Sequence, residues 1–216
     1  MPESPVCVVF GVGPGLGMAA ARRFASEGWR VAVVARSADK VAAAAEEVGG
    51  RGFTADATDS ESVQAALARI TSEMGPVDTL VWNVGSGVFG DIDQVGLDAL
   101  DLAVGTNARG LFAAVQAVLP AMREAGTGNV LITGATASLR GKPFTTAFAA
   151  GKAAQRSLAQ SLARKLWPEG IHVALVVVDG MVDLPSTRKR MPDAPDAAFV
   201  SPAGYADVLL FLAKQD

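Results

Sequence analysis

Short β-branched runs alternate with longer alanine-rich amphipathic stretches along the chain, and this alternation constrains the fold more than any other feature. Several of the six strand-like runs are apolar throughout, as strands covered on both faces should be. The runs are residues 6–10, 30–35, 52–55, 79–82, 129–133 and 172–178. Strands that alternate with helices predict repeated βα units around a parallel sheet. The expected fold class is therefore α/β, with a three-layer, doubly wound parallel sheet.

The last quarter of the chain departs from this alternation. A long helix is predicted over about residues 146–167, and Pro168 stops it. Residues 183–202 then contain four prolines and no sustained period, which predicts a mobile loop. Ser201 is a candidate cap for a last helix, in which Tyr205, the only tyrosine, is expected to pack on the sheet. No seventh strand is predicted after this helix.

Length and composition predict one domain over residues 1–216, because a chain of this size with half its residues apolar buries one good core. The formal charge of -3 argues against a nucleic-acid partner. Cys7, the only cysteine, excludes an internal disulfide and fits a reducing cytoplasm, and with one histidine it does not make a zinc site. We expect no metal site, and neither a signal peptide nor a membrane span.

A glycine-rich turn follows the first strand and opens a helix. Its residues include Gly11, Gly13, Gly15, Leu16 and Gly17. Glycines let the backbone turn tightly and approach a pyrophosphate, whose charge then lies against the N–H groups at the start of the helix. This context predicts a dinucleotide site of the Rossmann type. The alternative is a plain strand-to-helix connection.

The end of the second strand indicates which dinucleotide is bound. An acidic residue there would bind the ribose 2′-hydroxyl of NAD(H). Instead the strand ends in Ala35, and Arg36 follows. Because a guanidinium makes two charge-assisted bonds to a phosphate, this pair favours NADP(H) over NAD(H). The alternative for Arg36 is an exposed loop arginine.

With these residues the chain resembles the short-chain dehydrogenase/reductase family over about residues 6–180. The spacing of the turn glycines matches the family's TGxxxGxG motif, although Phe10 replaces its threonine. The resemblance places Asp56, with Ala57 beside it, where the family has an adenine-contacting aspartate. It also places Asn83 and Gly85 in a degenerate NNAG motif. The resemblance implies that these residues hold the coenzyme.

The same resemblance implies a catalytic set of asparagine, serine, tyrosine and lysine. Asn107 and Lys152 match the first and last of these positions. Ala135 stands at the serine and Phe148 at the tyrosine, so two of the four positions lack a hydroxyl. A positioned general acid contributes about 10²–10⁴-fold and an oxyanion donor about 10²–10³-fold, so the usual ketone chemistry should be severely weakened. Lys152, besides its catalytic place, would hold the nicotinamide ribose.

Other groups near the same strand end are candidate proton donors. Ser138 and Thr136 are the best side-chain candidates, although turn hydroxyls commonly bond only the backbone. Water held by Lys152 and Asn107 is a further candidate. His172, the only histidine, lacks a nearby partner in sequence and is expected to be structural.

Three functional interpretations stay open from the sequence. The first is an atypical NADP(H)-dependent oxidoreductase acting on an unknown small molecule. The second is a catalytically silent NADP(H)-binding sensor or scaffold module, and the third is a chain that binds neither coenzyme. The family also implies that Gly180, which stands in place of the glycine of the family's Pro-Gly, lies near the coenzyme, and that residues 183–202 cover the substrate. Family members form homodimers or homotetramers, and the missing seventh strand, a surface that relatives use for assembly, favours a homodimer here. The basic triplet at residues 188–190 would attract an anionic substrate, hold phosphates or lie in solvent.

Overall fold

The six predicted strands form one parallel sheet in the computed structural model, which describes residues 4–215. Their order is β3-β2-β1-β4-β5-β6, so the chain builds one half of the sheet outward from β1 and then returns to build the other. The strands are β1 (Val6–Phe10), β2 (Arg30–Ala35), β3 (Arg51–Thr54), β4 (Thr79–Trp82), β5 (Gly128–Ala135) and β6 (Ile171–Val178). The prediction of a doubly wound parallel sheet is confirmed.

Helices cover both faces of this sheet. They are α1 (Leu16–Ser26), α2 (Ala38–Val48), α3 (Ser60–Met74), α4 (Leu97–Val104), α5 (Gly110–Ala125), α6 (Thr146–Leu166), α7 (Pro185–Arg190) and α8 (Pro202–Ala213). Apolar side chains of α3, α5 and α6 form one core with the sheet, while those of α1, α2 and α8 form a second core on the other face. The result is the expected three-layer arrangement, with the sheet buried between two sets of helices.

The fifth strand is longer than its sequence pattern predicts. β5 begins at Gly128 and continues through Ala135, two residues beyond the predicted end. Every residue of β5 is paired with β6, from Gly128 opposite Ile171 to Ala135 opposite Val178. Since neighbouring strands supply the hydrogen-bonding partners, pairing carries the strand past the end of its apolar run. The extension brings Ala135 to the carboxyl edge of the sheet.

The longest apolar helix among the described residues is a core helix. Helices α4 and α5 join through a π turn at Gly105–Arg109 into one helix over Leu97–Ala125. Its 29 residues, and the mean hydropathy of 1.3 in an 18-residue window, would suffice by length and composition to cross a bilayer. More than half of its apolar window, 56%, is buried against the rest of the protein. In the part of the chain that the structure describes, no other helix is both as long and as apolar.

The segment after β6 corrects the prediction of a loop at residues 183–202. It contains the helix α7, a 3-10 turn at Asp196–Ala198 and a strand β8 (Phe199–Val200), which pairs with β7 (Met181–Val182). Arg188 holds the segment together through ion pairs to Asp183 and Asp196, at 2.7 and 2.5 Å. These contacts join residues that are not neighbours in the sequence, so no helical or strand periodicity predicts them. Whether the segment moves stays a prediction.

The predicted cap of the last helix is confirmed. The Ser201 hydroxyl accepts a hydrogen bond from the backbone N–H of Gly204 at 3.2 Å, at the first turn of α8. The helix then lies on the sheet, and Tyr205 is buried as expected. Among residues 4–215 no seventh strand joins the main sheet.

Candidate functional site

Two cavities open at the carboxyl edge of the sheet, where the strand order reverses between β1 and β4. Each has a volume of about 630 Å³, and they share Asn83, Val84 and Gly85 at the end of β4. In open α/β sheets such a switch point forms the ligand crevice. We name the cavity beside β2 and β3 the outer cavity, and the cavity beside β5 and α6 the inner cavity.

The predicted glycine turn lies between the two cavities and has the shape of a phosphate cradle. Gly11 has a φ of +86°, and a Cβ there would lie 2.7 Å from the carbonyl oxygen of Asn83. A Cβ on Gly17 would lie 2.4 Å from the carbonyl oxygen of Gly11. A Cβ on Gly13 would meet nothing within 4 Å, so this side of the turn is open. The turn is therefore closely packed beneath and accessible above.

The helix α1 begins at this turn. Gly15 is the N-cap and no side chain caps the helix. A helix that begins without a side-chain cap leaves its first N–H groups for water or a bound anion. Leu16 lines the inner cavity, and the side chains of Val182 and Leu184 lie against Gly15. The segment that follows β6 thus packs against the turn at Gly15 and leaves it open at Gly13.

The outer cavity holds the predicted adenosine-binding residues. Arg36, Asp56 and Ala57 all line it. The Asp56 carboxylate accepts hydrogen bonds from the backbone N–H and hydroxyl of Thr58, at 2.9 and 2.8 Å, and these bonds lower its pKa. Asp56 therefore stays ionised at neutral pH, as an acceptor should.

Lys40 is a cation of the outer cavity that the sequence analysis missed. It lies in the first turn of α2, four residues after Arg36, and both side chains line the cavity. Arg36 precedes α2 and Lys40 lies inside it, so no helical spacing relates the two cations, and only the structure brings them to one cavity. Together they make this cavity wall positive.

Lys152 lies at the inner cavity, as predicted. Its side chain is only 4% exposed, and its ammonium group donates to the carbonyl oxygen of Thr133 at 2.8 Å and to Oε1 of Gln155 at 3.1 Å. Burial lowers the pKa of Lys152 from its ordinary value of 10.5 to about 8. No sequence pattern pointed to Gln155, which is fully buried one turn along α6.

This depressed pKa predicts a pH dependence of stability. Between about pH 8 and pH 10.5 the unfolded state binds more protons at Lys152 than the folded state does, so unfolding becomes harder as pH rises. The measured quantity is the difference in free energy of unfolding between the natural protein and Lys152→Met. This difference should rise, in favour of the natural protein, by about 2 kcal/mol from about pH 7.5 to about pH 10. Denaturant titrations at both pH values measure it, and a flat difference would contradict the buried ammonium.

Asn107 lies at the junction of α4 and α5. It is fully buried in the π turn, and its Nδ2 donates to the carbonyl oxygen of Ala103 at 2.9 Å. Its Oδ1 has no hydrogen-bond partner, and its side chain lines neither cavity. The structure thus ties Asn107 to the backbone of α4 and does not place it on the wall of either cavity, and its catalytic role stays a prediction.

The two positions without hydroxyls face the inner cavity. Ala135 lines it from the end of β5, and Phe148 lines it from the first turns of α6. The Phe148 ring packs on Phe89 with 4.9 Å between ring centroids. Lys152 thus shares the cavity with a methyl group and a phenyl ring, neither of which donates a proton.

The two predicted alternative donors have different surroundings. Thr136 lines the inner cavity, and its hydroxyl donates to the carboxylate of Asp179. Ser138 is 3% exposed and does not line the cavity, and its hydroxyl has no partner. The structure therefore brings Thr136, and not Ser138, to the wall of the inner cavity, and a role of either as proton donor stays a prediction. Gly180, with a φ of +150°, lines the cavity beside Asp179 as predicted.

Tyr205 supports the site from behind, which its sequence position did not indicate. Its hydroxyl contacts the Thr133 hydroxyl, which donates to Oδ1 of Asn83 at 2.9 Å. Asn83 in turn donates from Nδ2 to the carbonyl oxygen of Gly11 at 2.9 Å. Burial raises the pKa of Tyr205, so the phenol stays neutral. This chain of hydrogen bonds joins α8, β5, β4 and the glycine turn.

The remaining reactive side chains lie away from the crevice. His172 contacts the ring of Trp167 edge-on and the carbonyl oxygen of Leu212, and it lines neither cavity. Cys7 is buried in β1, where burial raises its pKa. Within residues 4–215, no group of three or more histidine, cysteine or acidic side chains is placed to hold a metal ion.

Comparison with known proteins agrees with this geometry. The family model for short chain dehydrogenases matches residues 5–194 of the chain. The chain belongs to the short-chain dehydrogenase family. A curated relative, 2-(R)-hydroxypropyl-CoM dehydrogenase of Xanthobacter autotrophicus, is 31% identical over an alignment that covers 99% of this chain and 92% of the relative. Other curated relatives are longer, and the matched regions cover 36% to 68% of them.

Solved structures of short-chain dehydrogenases have the same fold. A variant of actinorhodin polyketide ketoreductase with NADPH superposes with a TM-score of 0.89 and is 28% identical, covering 99% of this chain and 91% of that chain. A metagenomic short-chain oxidoreductase in complex with NADP has a TM-score of 0.85 and is 27% identical, covering 99% of this chain and 92% of the other. This short-chain dehydrogenase therefore has the family fold over nearly all its length.

Proposed function

We propose that this protein is an NADP(H)-dependent oxidoreductase that acts on a small carbonyl-type substrate and draws its proton from Lys152, directly or through one water molecule. The observation that carries the proposal is the buried Lys152 ammonium in the inner cavity, beside two residues that have no proton to give. Family membership, and the coenzymes bound by the two solved relatives, support the redox chemistry.

The residues of the outer cavity and the glycine turn fit a phosphorylated dinucleotide. The open side of the turn at Gly13 and the uncapped start of α1 suit a pyrophosphate. Arg36 and Lys40 supply two positive charges where an NAD(H) site would have a carboxylate, which suits a 2′-phosphate. When bound, such a coenzyme supplies or accepts a hydride.

One N–H group of the Lys152 ammonium is not used in a hydrogen bond to the described residues. An ammonium group has three N–H donors, and two of them are used by Thr133 and Gln155. Its third donor has no protein partner among the described residues and is available to a ribose hydroxyl, a water molecule or the substrate oxygen. A pKa of about 8 lies close to the operating pH, as proton transfer requires.

Replacing Arg36 with alanine should weaken NADPH binding about 10- to 100-fold while leaving NADH binding nearly unchanged. The lost contacts are charge-assisted bonds to a phosphate that NADH lacks. Fluorescence titration of NADPH and of NADH against both proteins measures the change. The same titration of the natural protein tests coenzyme choice and site integrity together.

Lys189→Ala provides the matched control for Arg36→Ala. It also removes one exposed cation, and Lys189 lines neither cavity. Its affinities for NADPH and NADH should equal those of the natural protein. Equal NADPH affinity in Arg36→Ala, or failure of the natural protein to bind either coenzyme at millimolar concentration, would refute the proposed site.

A second candidate function is a silent NADP(H)-binding module that senses the coenzyme or serves as a scaffold. The absence of hydroxyls at Ala135 and Phe148 favours it, because coenzyme contacts lie elsewhere and survive their loss. It predicts normal NADPH binding and no turnover of carbonyl, enoyl or imine compounds. Our proposal predicts slow turnover with at least one of them.

A further inference from the structure

We infer that the substrate carries an anionic group on an apolar body, and that Arg140 and Lys142 receive the anion at the mouth of the inner cavity. This inference rests on the proposed function, since it names the substrate class of the same site. It follows from the charge of the cavity, from the unpaired state of the two cations and from the aromatic wall beside them.

The inner cavity is positive although the whole chain is negative. Arg140, Lys142 and Lys152 line it, and Asp179 is the one carboxylate among the described lining residues. The formal charge of the chain is -3. Concentration of cations in a cleft of an acidic protein attracts anionic ligands and raises their rate of association.

Arg140 and Lys142 have no protein partner for their charges. Within residues 4–215, neither side chain makes an ion pair or a hydrogen bond. The cavity's carboxylate is instead engaged by Thr136. Two cations beside a cavity and free of internal partners are available to a ligand.

The backbone holds these cations at the cavity mouth. Thr145 accepts from the backbone N–H of Lys142 at 2.8 Å and donates back to its carbonyl oxygen at 3.0 Å. Thr146 anchors the same segment by donating to the carbonyl oxygen of Gly90 at 2.8 Å. The loop between β5 and α6 is therefore tied at its end, which limits the entropy lost when a ligand binds.

An aromatic wall beside the cations defines the rest of the substrate. Phe89, Phe144 and Phe148 line the inner cavity. Phe89 is 57% exposed and Phe144 is 54% exposed, which is a large area of phenyl surface to leave in water. A flat apolar group would cover these rings while its charged end meets the two cations. Ring-containing or long-chain carbonyl acids satisfy both requirements.

The test compares two probes that share one apolar body and one ketone, the first ending in a carboxylate and the second in a neutral ester. We choose 6-acetyl-2-naphthoate and its neutral methyl ester, and measure their binding to the NADP⁺-loaded protein by calorimetry. The carboxylate should bind about tenfold or more tightly than the ester, since charge-assisted bonds to arginine and lysine add to the same apolar contact. This preference should shrink as salt is raised.

The variant Arg140→Gln with Lys142→Gln should lose the preference and bind the ester as the natural protein does. Lys189→Gln with Arg190→Gln is the matched control, because it removes two exposed cations of α7 that do not line the cavity, and it should keep the preference. Equal affinity for the two probes in the natural protein, failure of the carboxylate to bind, or retention of the preference in Arg140→Gln with Lys142→Gln would each overturn the inference.

Separate titration of NADP⁺ distinguishes this inference from the proposed function. Failure of the natural protein to bind NADP⁺ would refute the proposed function. In that case the binding of the two probes is compared on the coenzyme-free protein. Normal NADP⁺ binding without a preference for the carboxylate would refute the anion site alone. Arg140 and Lys142 lie outside the outer cavity, so NADP⁺ affinity should be unchanged in their double variant.

Discussion

Replacing Lys152 with methionine should lower the rate of NADPH-dependent carbonyl reduction by about 10²–10⁴-fold. Methionine has nearly the volume of lysine, so the packing around position 152 is kept while the ammonium group is lost. The change removes the proposed proton donor and its contact with a ribose. Oxidation of NADPH, followed with a panel of carbonyl, enoyl and imine compounds, measures the effect.

The pH profile separates a chemical role of Lys152 from a structural one. With a pKa of about 8, the ammonium loses its proton as pH rises, so turnover by the natural protein should fall above about pH 8. The residual activity of Lys152→Met should lack that fall. Lys165→Met is the control on the same helix, because Lys165 is mostly exposed and pairs only with Glu169. Unchanged turnover in Lys152→Met would refute the proposed proton donor.

Restoring both missing hydroxyls, Ala135→Ser with Phe148→Tyr, should raise turnover about 10²-fold or more. A phenol placed one helical turn before Lys152 would be a general acid at the cavity wall, and the serine would be an oxyanion donor. The gain should appear in kcat, with NADPH affinity unchanged because the outer cavity is untouched. Steady-state kinetics and coenzyme titration measure the two effects.

Two control variants show which hydroxyl acts. Phe148→Leu should show no gain, since it changes the packing against Phe89 without adding a proton. Phe148→Tyr alone should give part of the gain. Activity that appears only in the double variant, with none in the natural protein, would contradict our proposal and support the silent module. No gain in a double variant that still binds NADPH would contradict the placement of residues 135 and 148.

Much of the fold and of the coenzyme site could be predicted from local sequence. β1, β2 and β4 have the predicted bounds, because continuous apolar runs between turns suit strands buried on both faces. The glycine turn was predictable because its backbone shape depends on residues that are neighbours in the chain. The carboxyl edge of β5 was less predictable, since its last residues owe their conformation to pairing with β6.

The inner cavity shows where local sequence stops being informative. Ala135 and Phe148 were identified by matching a known motif, and the structure brings both to one cavity with Lys152. The roles of Gln155 and Tyr205 depend on side chains that meet across separate elements. The spacing of residues along the chain does not predict contacts between separate elements, so these contacts were missed.

The sequence by itself determined the order of strands and helices, the phosphate-binding turn and the positive charge that follows β2. Each depends on residues within a few positions of one another, whose backbone preferences act locally. Only the tertiary structure decided that residues 183–200 form a helix and a strand against the turn, and that Arg140 and Lys142 stand unpaired beside an aromatic wall. These features arise from distances between remote residues, which are set when the three layers pack together.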